Sequence, residues 1–477
     1  MKHTVRFLCL LLLIVGPLHA QSAIERQLAA RVSQAQLLAA VRELVRIGPR
    51  IGGTKSGERS AQYVARRFRQ AGFKPVIIED PEVLTFSNLR WSLKVEEPDS
   101  LRTLIKNEWL AGYSPSAPRS RATLVRLTDF QRLWIGDLKG EAVLLDEEPS
   151  AQLYRRLVEA GVRCILLASP RLPGAYSNWA MITELAASER NQIPLFNLSW
   201  NNGHRLKKAL ADSQKIILSF SSRTLIAKGR PRTVTATLKG ETDDYYIICA
   251  HGDSDSGGPG ADDNASGVSG VLELARVLSS LVQSKVLPRP QKSIRFIVWG
   301  KEMYSAQHYV KTHADELERI AGVINLDEIG AGASRDCLYF ESNDVPQNQE
   351  MLGVLEGVAE NYVGKKGFWS EATTNPSQGG ADSYVFFPES LRELKGPDVK
   401  IPSVTVYTAA WNELKGLKQT EGWTSKAWKG PPDSVYIDFS AYYHSSLDIP
   451  QTTTEREPYN MVWAVKAVGI ALTRLAW

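Results

Sequence analysis

From Thr233 onward, apolar runs with almost no polar interruption alternate with stretches of helical period. The runs are "TVTATLKG" (233–240), "YYIICA" (245–250), "SIRFIVW" (293–299), "AGVINLD" (321–327) and "IPSVTVY" (401–407). Between and after them, residues 267–281, 305–313 and 459–477 read as helices. A strand with one wet face alternates apolar and polar residues. A strand covered on both faces does not, and helical crossovers are what cover both faces of a parallel sheet. The pattern predicts an α/β fold, a mostly parallel, mixed sheet flanked by helices.

Upstream, residues 37–47 and 60–73 read as amphipathic helices around the glycine-rich turn "GPRIGGTKSG", and 75–79 as a strand. Between 98 and 228 the texture changes to short strands (140–146, 163–169, 193–199, 215–220) and short helices (152–160, 204–211), with no cluster of His, Cys or carboxylates. A chain of 477 residues has room for two domains of roughly 100–200 residues or more. The expected division is a first domain built from 21–97 and 229–477, with 98–228 inserted as a smaller one. Residues 1–20 stand apart, since Lys2 and Arg6 precede the apolar run "FLCLLLLIV" and "GPLHA" ends on Ala20. That order reads as a cleaved signal peptide, and the expectation is a secreted or periplasmic protein. The run is short for a bilayer core that needs about 20 residues, so no transmembrane segment is expected. The net charge of +5 is spread along the chain without a dense basic run, which argues against a nucleic-acid partner. Cys164, Cys249 and Cys337 form no CxxC pair and read as small buried apolar residues.

Ligands of open α/β sheets bind beyond the carboxyl ends of the strands. His251 and Asp253 follow the run ending at Ala250, Glu302 follows the one ending at Trp299, and Asp327 closes the one from Ala321. Asp262 and Asp263 lie in "PGADDNASG" just before a helix, and His444 lies in the late loop "YYHSSLD". Imidazole nitrogens and carboxylate oxygens are the ligand set of catalytic zinc, and two-metal hydrolytic centres hold their ions about 3.5–4 Å apart. In His-x-Asp the carboxylate accepts the second ring N–H and fixes the tautomer. Taken singly, a loop histidine is an ordinary surface residue and "ADDN" a capping segment, as His308 and His313 are read on their polar helical stretch. The joint placement of His251, Asp263, Glu302, Asp327 and His444 is what points to a metal.

These segments resemble the M28 family of zinc exopeptidases, which includes aminopeptidases and carboxypeptidase Q-like enzymes. The matching stretches are "HGD" (251–253), "PGADDNASG" (259–267), "INLDEIG" (324–330), "GGADSYVFF" (379–387) and "YYHSSLD" (442–448). The stretch from "GPRIGG" to "AGF" resembles the family's N-terminal helices, and 98–228 resembles a protease-associated (PA) insert. The resemblance implies a peptide substrate and two zinc ions, with a single zinc also open. It makes Asp263 the bridging carboxylate, pairs His251 and Asp327 on one zinc, puts His444 on the other and has Asp253 orient His251.

The family also implies two adjacent glutamates, a general base and then a zinc ligand, where this chain has Glu302 and Met303. Aligned without a gap, Glu302 is the base and Met303, a soft thioether, stands at the ligand position. Shifted by one residue, Glu302 is the ligand and Lys301 takes the place of the base. Glu328, after Asp327, is a displaced carboxylate that could restore a ligand, although neighbours in a straight strand point to opposite faces. The leading expectation is an exported two-zinc exopeptidase. A low-activity or non-catalytic metal-binding protein on the same fold, or a single-zinc glutaminyl cyclase-like acyltransferase, is the alternative. Aminopeptidase, carboxypeptidase and dipeptidase action all remain open at this stage, as does oligomeric state.

Overall fold

The structure, a computed structural model, describes residues 23–477 except 103, 106–108, 128–135, 169–190, 255–256, 331–336, 343–347, 363–370, 376–380, 395, 397, 409–442 and 457. The expected signal peptide at 1–20 lies outside the described residues. In chain order the strands are β1 (Val76–Glu79), β2 (Val83–Glu97), β3 (Trp109–Leu110), β4 (Ala117–Arg126), β5 (Ala142–Leu145), β6 (Cys164–Ala168), β7 (Leu195–Leu198) and β8 (Ile217–Gly229). There follow β9 (Arg232–Leu238), β10 (Tyr245–His251), β11 (Ser293–Trp299), β12 (Ile320–Leu326), β13 (Cys337–Ser342), β14 (Glu371–Asn375) and β15 (Ser403–Tyr407).

The larger sheet runs β1-β9-β11-β10-β12-β15-β13-β14. Its centre is parallel, β10 pairing with β11 and β12, and β12 with β15. Antiparallel pairs stand toward its edges, β1 with β9, β9 with β11 and β13 with β15. This is the mixed α/β sheet that the apolar runs imply. Every residue of β10 is buried, and the residues divide by turns: Tyr246, Ile248 and Ala250 enter one core, Tyr245, Ile247 and Cys249 the other. The first core takes in Phe68 of helix Lys55–Gln70, Leu274 of Gly267–Gln283 and Ile470 of Tyr459–Leu475. The opposite face is covered by Tyr309 and Val310 of helix Tyr304–Thr312 and by Phe386.

The two upstream helices begin earlier than periodicity alone suggests, at Gln34 and Lys55, because Ser33 and Thr54 cap them. The Ser33 hydroxyl accepts from Gln36 N at 3.3 Å and that of Thr54 from Gly57 N at 3.2 Å, each satisfying a donor left open in the first turn. The stretch Ala261–Gln283 has the length and hydropathy of a membrane span, yet 83 % of its most apolar window is buried inside this fold.

A second sheet runs β2-β8-β4-β5-β6-β7-β3 with an apolar cluster on each face. Its first strand, Val83–Glu97, lies upstream of residue 98, where the sequence texture changes. β2 and β8 form a long antiparallel ribbon from Val83↔Gly229 to Glu97↔Ile217. The ribbon's base crosses the chain entering helix Lys55–Gln70 so closely that a Cβ at Gly229 would stand 2.1 Å from Gly53 O. Glycine is the residue that fits such an approach. Cys164 and Cys249 are buried free thiols, one in each sheet, and the side chain of Cys337 lies outside the described residues.

Candidate metal centre

Parallel pairing brings the carboxyl ends of β10 and β12 to one rim. There His251 Nε2 lies 3.3 Å from Asp263 Oδ1 and 3.5 Å from Asp327 Oδ1. Ligand atoms of the three lie within 4.8 Å of one another, and all three residues are buried. A histidine with two carboxylates at this spacing is a donor set that zinc accepts. His444 approaches from the other side, its Nε2 2.9 Å from Asp263 Oδ2. The two carboxylate oxygens of Asp263 therefore face two different histidines.

Local backbone geometry explains how Asp263 arrives there. After Gly260 in the left-handed region, Asp263 leaves helical φ/ψ at −101°, 96°, and its peptide to Asn264 is cis. Asn264 ties this segment to the end of β12, donating to Leu326 O at 2.9 Å and accepting from Gly267 N at 2.8 Å. Asp448 receives the N–H groups of Asp262 and Asp263 at 2.8 and 3.1 Å. Asp253 sits behind His251 with Oδ1 3.2 Å from Nδ1, and the same oxygen accepts the Glu302 N–H at 3.1 Å. One buried carboxylate thus orients the imidazole and anchors the Glu302 turn.

The electrostatics are those of a cation site. Burial opposes a charged His251, yet Glu302, Asp327, Asp253 and Asp263 outweigh it and hold the imidazole well above its ordinary pKa. Burial likewise opposes ionisation of Asp263, but hydrogen bonds from His251 and His444 pull its carboxyl well below the usual range. Carboxylates that favour an imidazolium favour a metal cation in its place. Further out, burial pushes Asp382 and Asp448 up to about 7.

Position 303 differs from what the ungapped alignment implies. Met303 has φ +51°, donates its N–H to Asp382 Oδ1 at 2.7 Å, and packs its side chain against the cluster that holds Trp299, Tyr309 and Phe386. The turn is further pinned by Asp80, which accepts from Ser305 Oγ at 2.6 Å and Thr233 Oγ1 at 2.9 Å. Three of the chain's non-glycine residues with positive φ, Met303, Glu328 and His444, belong to segments meeting at this rim. Such conformations concentrate where a site over-determines them. His313, outside the site, stacks on Tyr309 at 4.0 Å between centroids.

Arg50, from the turn "GPRIGG", is a site residue that motif reading missed. Its guanidinium is fully buried and donates to the carbonyls of Gly252, Pro259 and Gly260 at 3.1, 2.9 and 2.7 Å. It thereby clamps the loop that runs from His251 to Asp263. Burial lowers its pKa to about 10, against the pull of Asp448, Asp253 and Asp263. Arg50→Met is expected to orphan these carbonyls at about 1–3 kcal/mol each. Thermal unfolding and zinc titration should show a lower Tm and weaker metal binding, and unchanged zinc affinity would contradict the clamp.

Residues 233–468 match the profile of peptidase family M28. Aminopeptidase YwaD of Bacillus subtilis is 26 % identical over 365 residues, covering 72 % of this chain and 70 % of that protein. A probable lipoprotein aminopeptidase, LpqL of Mycobacterium tuberculosis, is 27 % identical over 467 residues, covering 91 % and 83 %. Among solved structures, a peptidase M28 precursor from Shewanella amazonensis superposes with a TM-score of 0.66 at 18 % identity, covering 96 % of this chain and 97 % of that one. BSAP, a zinc aminopeptidase from Bacillus subtilis, superposes with 0.59 at 20 % identity, covering 93 % and 95 %.

Proposed function

Because this chain belongs to peptidase family M28, we propose that it is an aminopeptidase that removes N-terminal residues from peptides at a centre of two zinc ions bridged by Asp263. The chain is a metallopeptidase, and peptides are its substrates. The observation that carries the two-metal reading is the placement of Asp263 between His251 at 3.3 Å and His444 at 2.9 Å. His251 and Asp327 would hold one ion and His444 the other. When bound, zinc supplies Lewis acidity toward the scissile carbonyl and acidifies water. Asp253, beside His251 Nδ1, would keep the imidazole in the tautomer that leaves Nε2 available as a ligand. Glu302, held over the rim by the Asp253 contact to its N–H, accepts a proton from the attacking water and returns it to the leaving amine. The aminopeptidase assignment takes its support from the relatives named above.

Residues 98–228, together with β2, form a module that shapes access to the centre without supplying a ligand. Residues 1–20 direct export, in line with the lipoprotein relative. Dipeptide and oligopeptide panels with free and acetylated N-termini test the assignment. Free substrates are expected to lose their first residue and acetylated ones to stay intact. Release from the carboxyl end, or equal cleavage of acetylated peptides, would overturn it.

A further inference from the structure

The backbone N–H groups from Gly300 to Met303 are each received by a side chain. Gly300 N donates to Thr233 Oγ1 at 3.1 Å, Lys301 N to Ser305 Oγ at 2.9 Å, Glu302 N to Asp253 Oδ1 at 3.1 Å and Met303 N to Asp382 Oδ1 at 2.7 Å. The first two acceptors are hydroxyls, and a hydroxyl can turn its proton toward any neighbour. Asp80 removes that freedom. Its Oδ2 accepts from Ser305 Oγ at 2.6 Å and from Thr233 Oγ1 at 2.9 Å. With each hydroxyl proton committed to the carboxylate, only lone pairs face the N–H groups of Gly300 and Lys301. Asp80 is 2 % exposed, and a buried carboxylate persists where donors meet it. A satisfied buried network of this kind holds a single geometry.

Asp80 also stands at the joint between the two sheets. It follows β1, where the chain leaves the larger sheet for β2. Its N–H donates to Pro231 O at 2.9 Å, where the chain returns from β8 to β9. The returning segment presses on the same turn, since a Cβ at Gly300 would stand 2.4 Å from Arg232 N. The turn that carries Glu302 is therefore braced from this joint as well as from the metal rim.

We propose, resting on the reading of Glu302 as the general base, that Asp80 is a positioning residue for that base. By orienting the Thr233 and Ser305 hydroxyls it fixes the Gly300 and Lys301 N–H groups, and with them the direction in which the Glu302 side chain leaves the turn. In this role Asp80 acts on the reaction only through Glu302.

The test is steady-state kinetics with zinc analysis on the full-length wild type, Asp80→Ala, Glu302→Gln and the double variant. Asp80→Ala is expected to lower kcat by about 10²-fold, the loss that a misplacement near 1 Å brings, with KM and zinc content at their wild-type values. In the double variant kcat should stay where Glu302→Gln alone puts it, because the effects of groups that act as a unit do not add. Thr233→Val, close in shape, removes one of the two hydroxyls and decides the matter if the alanine variant does not fold. It should lower kcat in the same way, and again only where Glu302 is present. Unchanged kcat in a folded variant, a loss of zinc, or an equal fold-loss with and without Glu302 overturns the role of Asp80 while Glu302 stands as the base. A Glu302→Gln chain that keeps the wild-type kcat, or that loses zinc, overturns the base reading and this one with it.

Discussion

Glu302→Gln is expected to lower kcat by about 10²–10⁴-fold, the usual contribution of a positioned general base, while zinc content stays at the wild-type value. The amide keeps the shape of the side chain but cannot accept a proton from water. The turn should survive the change, because it is held through backbone groups: the N–H of Glu302 by Asp253 at 3.1 Å and that of Met303 by Asp382 at 2.7 Å. Metal analysis run beside the kinetics separates base from ligand. Were Glu302 a ligand, zinc would fall first and activity would partly return in excess zinc. A variant that loses metal and recovers in this way would assign the base elsewhere.

Asp263→Ala should be the most damaging single change, removing both zinc equivalents and lowering kcat/KM by at least about 10³-fold. That figure follows from the several kcal/mol that metal ions contribute to charge stabilisation, at about 1.36 kcal/mol per decade. Its two oxygens face two histidines, so no other described residue substitutes for it. The fold around it should hold, since the backbone N–H at 263 still reaches Asp448 and Asn264 still ties the loop to β12. Circular dichroism checks the fold, and a variant that retains a full zinc complement would show that Asp263 is no bridge.

Much of this site could be read from sequence because fold physics placed it. His251, Asp253, Glu302 and Asp327 each follow an apolar strand, and such strands end at the rim where ligands bind. The residues that support them were harder to see. Arg50 acts on carbonyl groups, which every residue carries, so nothing in the local sequence marks the loop it clamps. Asp382 and Asp448 act in the same way on backbone N–H groups. The difference at Met303 and Glu328 has another origin: both depart from the extended backbone that alternation assumes, with φ of +51° and +45°. Straight-strand reasoning therefore misplaces the Met303 side chain, which packs against the Trp299 cluster. β2 and β8 escaped full reading because they are half-exposed and find their register with each other across more than a hundred residues. Periodicity sees only the local part of such a pairing.

The central claim is a pair of zinc ions about the carboxylate of Asp263, and counting zinc bound per chain as it is titrated into metal-free wild-type protein tests it most directly. Saturation is expected at two equivalents, with peptidase activity on free N-termini reaching its maximum as the second fills. Saturation at one equivalent with full activity would contradict it.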